Sequence, residues 1–196
     1  MIHFIATYIT NKIIISIPSE VENYSIFLYA FEKLLSEFFI FLFLIILGIS
    51  TGTFPKMISY ILFVTILRGQ TSGFHAKSPI GCILLSSFIS LTCIHISNFI
   101  YNSNILLLLA SLFISVVYIC CMSPINHVAL DLTSYEVICH KKRTYRILSW
   151  EIIIIFFLYL FPFTRGISIT GSLAIITVAF FMVLSKITNQ EVKCYD

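Results

Sequence analysis

Long apolar runs separated by short polar breaks dominate the chain. Six stand out: "SEFFIFLFLIILGIST" (36–51), "KMISYILFVTILR" (56–68), "PIGCILLSSFISLTCIHISNFI" (79–100), "ILLLLASLFISVVYICCM" (105–122), "WEIIIIFFLYLFPF" (150–163) and "GISITGSLAIITVAFFMVLS" (166–185). A helix needs about 20 apolar residues to cross the hydrocarbon core, or a few fewer. The 56–68 run is short, so it either crosses with bundle support or re-enters. Ahead of these runs, "IHFIATYITNKIII" and "VENYSIFLYAFEKLL" mix apolar and polar positions and are separated by Pro18. Ile26, Tyr29, Ala30 and Lys33 follow helical spacing, with Glu32 and Lys33 at the polar edge. This pattern predicts two amphipathic helices lying on the membrane; the alternative is that the second begins the first spanning helix. Residues 123–149 form the largest polar segment and carry His140, Lys141, Lys142, Arg143 and Arg146.

The expected fold is therefore an all-α integral membrane protein, one membrane domain over 1–196. It divides into an amphipathic region (1–35), about six hydrophobic segments, one or more able to re-enter (36–187), and a polar tail (188–196). Composition agrees: 59% of residues are hydrophobic and 11% charged, against about a quarter charged in soluble domains. The opening "MIHFIATYITNK" has neither the basic start nor the small-residue cleavage site of a signal peptide, so it is expected to be retained.

A net charge of +3 gives no argument for nucleic acid, but the placement of charge gives a topology. With the 123–149 loop in the cytoplasm and six alternating segments, ten basic residues lie inside: Lys12, Lys33, Arg68, Lys77, Lys141, Lys142, Arg143, Arg146, Lys186 and Lys193. Two, Lys56 and Arg165, lie outside. The positive-inside rule favours this orientation, with both termini and the 68–82 stretch cytoplasmic in a multi-pass cell-membrane protein.

The six cysteines show no C-x-x-C pairing, and neither a metal nor an organic cofactor is expected. Cys93, Cys120 and Cys121 lie in apolar runs and read as small hydrophobes. His95 is expected to be buried and bonded across helices. Small residues from Gly166 to Thr170 and Gly171 suggest a helix-packing face, and a homodimer is a plausible assembly.

The stretch "RGQTSGFHAKSPIGC" (68–82) carries the candidate chemistry. On one continuous helix, His75 and Cys82 would stand about 10.5 Å apart along the axis, too far for contact. Ser78 is a good N-cap and Pro79 suits a first helical position, which puts Cys82 in the first turn of the next helix. Gly69 and Gly73 loosen the backbone before it, so the loop can fold His75 back over the helix start. A helix N-terminus favours a thiolate, and an imidazole can accept the thiol proton and later protonate a leaving amine. Free N–H groups there could stabilise an oxyanion, with Arg68 and Lys77 adding positive potential. On spacing alone the alternative stays open: His75 as a headgroup-level loop residue and Cys82 as an inert core thiol.

The set Arg68, Gly73, His75, Ala76 and Cys82 resembles the accessory gene regulator B family of bacterial membrane proteins. The "YAFEKLL" element (29–35), several hydrophobic spans and Ser123-Pro124 opening a basic loop are also similar, so the resemblance covers nearly the whole chain. Where a double glycine is common before the aromatic-His-Ala element, this chain has Ser72-Gly73. The resemblance implies a membrane cysteine endopeptidase of quorum sensing with His75 and Cys82 as catalytic dyad and an AgrD-like propeptide as substrate. It further implies a thioester on Cys82, closure of a thiolactone or lactone ring, and a dimer in contact with lipid. A small peptide exporter and a non-enzymatic membrane scaffold are the competing readings. An exporter would need paired polar groups deep in its spans, and the sequence places every Asp and Glu in loops or at span ends.

Overall fold

A computed structural model describes residues 2–16, 24–74, 79–101, 105–126 and 133–189, without the side chains of Tyr29, Lys33, Pro79 and Ile80. His75, Ala76, Lys77, Ser78, Pro18 and most of the tail thus lie outside the described residues. Those described form seven α-helices and no strand: α1 (Ile2–Ser16), α2 (Tyr24–Ser50), α3 (Phe54–Thr71), α4 (Pro79–Tyr101), α5 (Leu106–Met122), α6 (Ser134–Leu160) and α7 (Arg165–Ile187). By length and composition, α2, Gly81–Tyr101 within α4, and α7 can each cross a membrane; α5 is a shorter apolar helix.

Three segment boundaries differ from the sequence expectation. The second amphipathic piece is continuous with the first long apolar run, so α2 starts at Tyr24 rather than near residue 36. The short 56–68 run extends to α3, 18 residues, with a proline in its first turn. The polar segment before Trp150 is mostly helix: α6 begins at Ser134 and runs 27 residues. Its start is fixed by a capping box, in which the Thr133 hydroxyl accepts from the Glu136 N–H while the Glu136 carboxylate accepts from the Thr133 N–H at 2.9 Å. The basic run therefore stands on helix rather than loop.

The last helix is the centre of the bundle rather than one arm of a peripheral hairpin. α7 packs on α3, α4, α5 and α6 and is buried almost continuously from Ser168 to Val178. The interior is rich in small hydroxyl residues, including Ser59, Ser90, Ser97, Thr144, Ser172 and Thr177, while Phe38, Phe88, Phe113 and Phe156 point outward. This arrangement suits lipid as solvent: it gives no hydrophobic drive between helices, so close backbone approach and hydrogen bonding hold them together. Thr170 and Gly171 face inward, and a Cβ at Gly171 would lie 3.2 Å from both Ile155 and Phe63. That part of the small-residue face is used within the chain and is not free for a second copy.

α1 packs along α2, with Ala6 and Thr10 buried and the His3 imidazole 2.5 Å from Glu32. At one end of the bundle, the C-terminal ends of α3, α5 and α7 meet near the first half of α6. The Ile125 N–H donates to the Thr71 carbonyl at 3.0 Å, Ser123 and Thr144 share a hydroxyl bond at 3.1 Å, and the Tyr145 hydroxyl donates to the Cys120 carbonyl at 2.9 Å. The strand-like strap after α5 thereby ties α3 to α6.

Two tests follow from this packing. A Cβ at Gly48 would sit 2.8 Å from the Met57 Cβ, so Gly48→Ala must push α2 from α3. The expected cost is about 1–3 kcal/mol, read as a lower unfolding midpoint in detergent. Thr133 holds the exposed Glu136 carboxyl below its usual range through backbone and hydroxyl hydrogen bonds. A depressed carboxyl stabilises the helix start above its unfolded pKa, and that contribution disappears as pH falls through the folded value. Amide exchange over 134–138, corrected for its intrinsic pH dependence, is expected to show fraying of this turn in acid; Glu136→Ala should fray it already at neutral pH.

Candidate functional site

The site is built where α3 ends against α7. After Thr71 the chain turns through two residues of positive φ, Ser72 at 59° and Gly73 at 139°. Only a residue without Cβ adopts the second at no steric cost. At Gly73 an added Cβ would meet the Phe181 backbone at 3.5 Å. The turn delivers Phe74 onto α7, where its N–H donates to the Phe181 carbonyl at 3.1 Å.

Arg68, one turn before the end of α3, fastens the same loop. Its Nη2 donates to the Phe74 carbonyl at 2.5 Å, and its guanidinium lies 4.8 Å from the centroid of the Phe181 ring. It also interacts electrostatically with Cys82, Glu37 and Tyr60. Cys82 is a free, half-buried thiol in the first turn of α4, packed against a cluster of Ile40, Leu44, Met57 and Ile94. A half-buried guanidinium within electrostatic reach of a cysteine supplies positive potential where an anion would develop.

The structure thus brings together Arg68, Gly73 and Cys82 of the expected site, while His75 and Lys77 fall outside the described residues. Arg68 is more than a loop charge: its side chain ties the end of α3 to the 72–74 turn and to α7. The sequence reading missed Glu37 and Phe181. Glu37 had a legible signal, an acidic residue within an apolar helix. Phe181 had none, because one phenylalanine in an apolar run looks like any other. Behind the site, Tyr60, Cys93 and Thr177 form a buried polar group in which the Cys93 thiol and the Thr177 hydroxyl stand 3.5 Å apart. Cys93 is a packed core thiol, as its run suggested.

Two expectations are corrected. His95 is exposed on α4 rather than bonded across helices, because its position on the helix faces away from α7. Not every acidic residue sits in a loop or at a span end: Glu151 lies well inside α6, 4% exposed, and neither carboxylate oxygen has a hydrogen-bond partner among the described residues. The longer α6 moves it from a helix end to the interior. No group of three His, Cys, Asp or Glu residues among those described could hold a metal ion. The basic residues Lys141, Lys142, Arg143 and Arg146 stand on the part of α6 that shares the end of the bundle with Arg68 and the 72–74 turn.

The family model described as "AgrB: Accessory gene regulator B" matches residues 2–188. No curated protein and no solved structure matches the chain significantly.

Because Gly73 holds φ 139° against α7, Gly73→Ala is expected to cost about 1–3 kcal/mol locally. Hydrogen exchange at the Phe74 amide should accelerate while the core amides of α7 stay protected. Unchanged exchange at Phe74 would mean the turn does not need glycine.

Proposed function

The chain belongs to the Accessory gene regulator B family and so takes part in agr quorum sensing; from that premise we propose that it is a membrane cysteine endopeptidase that cuts an AgrD-like propeptide and promotes its cyclisation. The observation that carries this reading is the free, half-buried Cys82 thiol in the first turn of α4, with the Arg68 cation within electrostatic reach. His75 takes the Cys82 proton, and the thiolate attacks the carbonyl carbon of the peptide bond before the acidic C-terminal tail. His75 returns the proton to the leaving amine as the C–N bond breaks, leaving the peptide as a thioester on Cys82. A thiol or hydroxyl within the peptide then attacks that thioester, closing a thiolactone or lactone and releasing the Cys82 thiol.

The physical setting supports each step. Arg68 provides positive potential for thiolate and oxyanion. Half-buried Cys82 packs on apolar side chains, which keep water from competing with ring closure. The cationic residues on α6 attract an acidic tail. They equally suit contact with anionic lipid on the cytoplasmic side, the orientation proposed here. Homodimers, if formed, would use faces other than the inward-facing Thr170 and Gly171.

A peptide exporter is the second reading, and Glu151 is the observation in its favour, since intramembrane carboxyls commonly mark transport pathways. Glu151→Gln separates the two: cleavage should survive it under the peptidase reading.

Co-expression with a candidate propeptide and mass measurement of the tail and ring test the proposal. Cys82→Ala and His75→Ala should each abolish cleavage with membrane insertion intact; a Cys82→Ala protein that still released the tail would sink the mechanism. A reporter fused near Asn102 should score outside, and a cytoplasmic signal would overturn the orientation.

A further inference from the structure

Phe181 belongs to none of the sequence signals that mark the site, yet it touches the loop at two points and the Arg68 side chain at a third. Its carbonyl accepts the Phe74 N–H at 3.1 Å, its backbone lies 3.5 Å from the space a Cβ would take at Gly73, and its ring lies under the Arg68 guanidinium at 4.8 Å. Its side chain is 4% exposed, so the ring is held in place by the bundle. Arg68 in turn donates to the Phe74 carbonyl at 2.5 Å. Both polar groups of Phe74 are therefore held, one by the backbone of Phe181 and the other by the cation resting on its ring.

We infer that Phe181 is a positioning residue for the reaction: its aromatic face sets the pose of Arg68, and with it the cation's place in the site and the Phe74 carbonyl that Arg68 holds. The inference rests on the peptidase reading for its effect on turnover, but the clamp itself does not.

A part-buried cation held over a buried ring is a substantial contact, and an aliphatic replacement loses it while keeping apolar bulk. The test uses the full-length protein in phospholipid nanodiscs, with Phe181→Leu and Phe181→Met as two independent truncations of the ring and Phe181→Tyr as the variant that keeps it. Without any substrate, hydrogen exchange over residues 69–76 should accelerate roughly tenfold in Leu or Met variants that elute as folded protein, and return near wild type in Phe181→Tyr. With a synthetic propeptide that the wild-type protein cuts, kcat should fall roughly tenfold with KM within about twofold, again restored by tyrosine.

Unchanged exchange in either folded truncation overturns the clamp. Faster exchange with unchanged kcat overturns the positioning role. A fall confined to KM would also overturn it, because a misplaced Arg68 cation affects the chemical step. If the wild-type protein cuts no propeptide while the exchange pattern holds, the peptidase reading has failed and the clamp has not.

Discussion

Everything in this bundle depends on one helix being buryable from all sides in a solvent that offers no hydrogen bonds. α7 meets that constraint with small and hydroxyl side chains, several of whose polar atoms are satisfied locally. Thr170 donates to the Gly166 carbonyl, Ser172 to Ser168 and Thr177 to Leu173, each one turn back, at 2.8–3.1 Å. The helix can then be surrounded without leaving these hydroxyls unpaired. Ser168 reaches across instead, donating to the Ile155 carbonyl at 2.8 Å, and so joins α6 to α7. Because α3, α4, α5 and α6 all rest on this helix, anything anchored to it is anchored to the whole bundle. The 72–74 turn is anchored there.

The same constraint explains why Arg68 is so thoroughly engaged. A guanidinium withdrawn from water is costly unless its charge and its donors are met. Here the Phe74 carbonyl and the Phe181 ring share that role, with the Glu37 carboxylate within electrostatic reach. The carbonyl comes from the loop and the ring from α7, so the interactions that make the cation tolerable also hold the turn on the bundle. Removing one member would leave the others to carry an incompletely met charge, which ties local chemistry to local stability.

Much of this was legible in the chain. The six apolar runs match α2 through α7, and the Arg-to-Cys stretch identified the elements that meet. What hydropathy obscured was the start of α6. Its charged residues resemble a loop, although Thr133-Ser134-Tyr135-Glu136 carries a capping-box signature that marks the helix start. The centrality of α7 was partly readable from its serines, threonines and glycines, since small residues concentrate at helix interfaces in lipid. Phe181 and His95 were not readable. Whether a phenylalanine faces lipid or supports a cation, and whether a histidine points inward or outward, is set by which neighbour occupies the next groove. Glu151 is in plain view, but hydropathy places it at a helix end because the charged first half of α6 looks like a loop.

The placement of the anchor has its own logic. Only Ser72 and Gly73 separate the last residue of α3 from Phe74, and both have positive φ, so the chain changes direction within two residues. Four residues, 75–78, then lead to Pro79 at the start of α4. Phe74, just before them, is tied to α7, and Pro79, just after them, opens the helix that carries Cys82. That helix also packs on α7. The chain is therefore fixed on both sides of the segment by the same core, and the helix that is hardest to bury is the one that sets both fixed points.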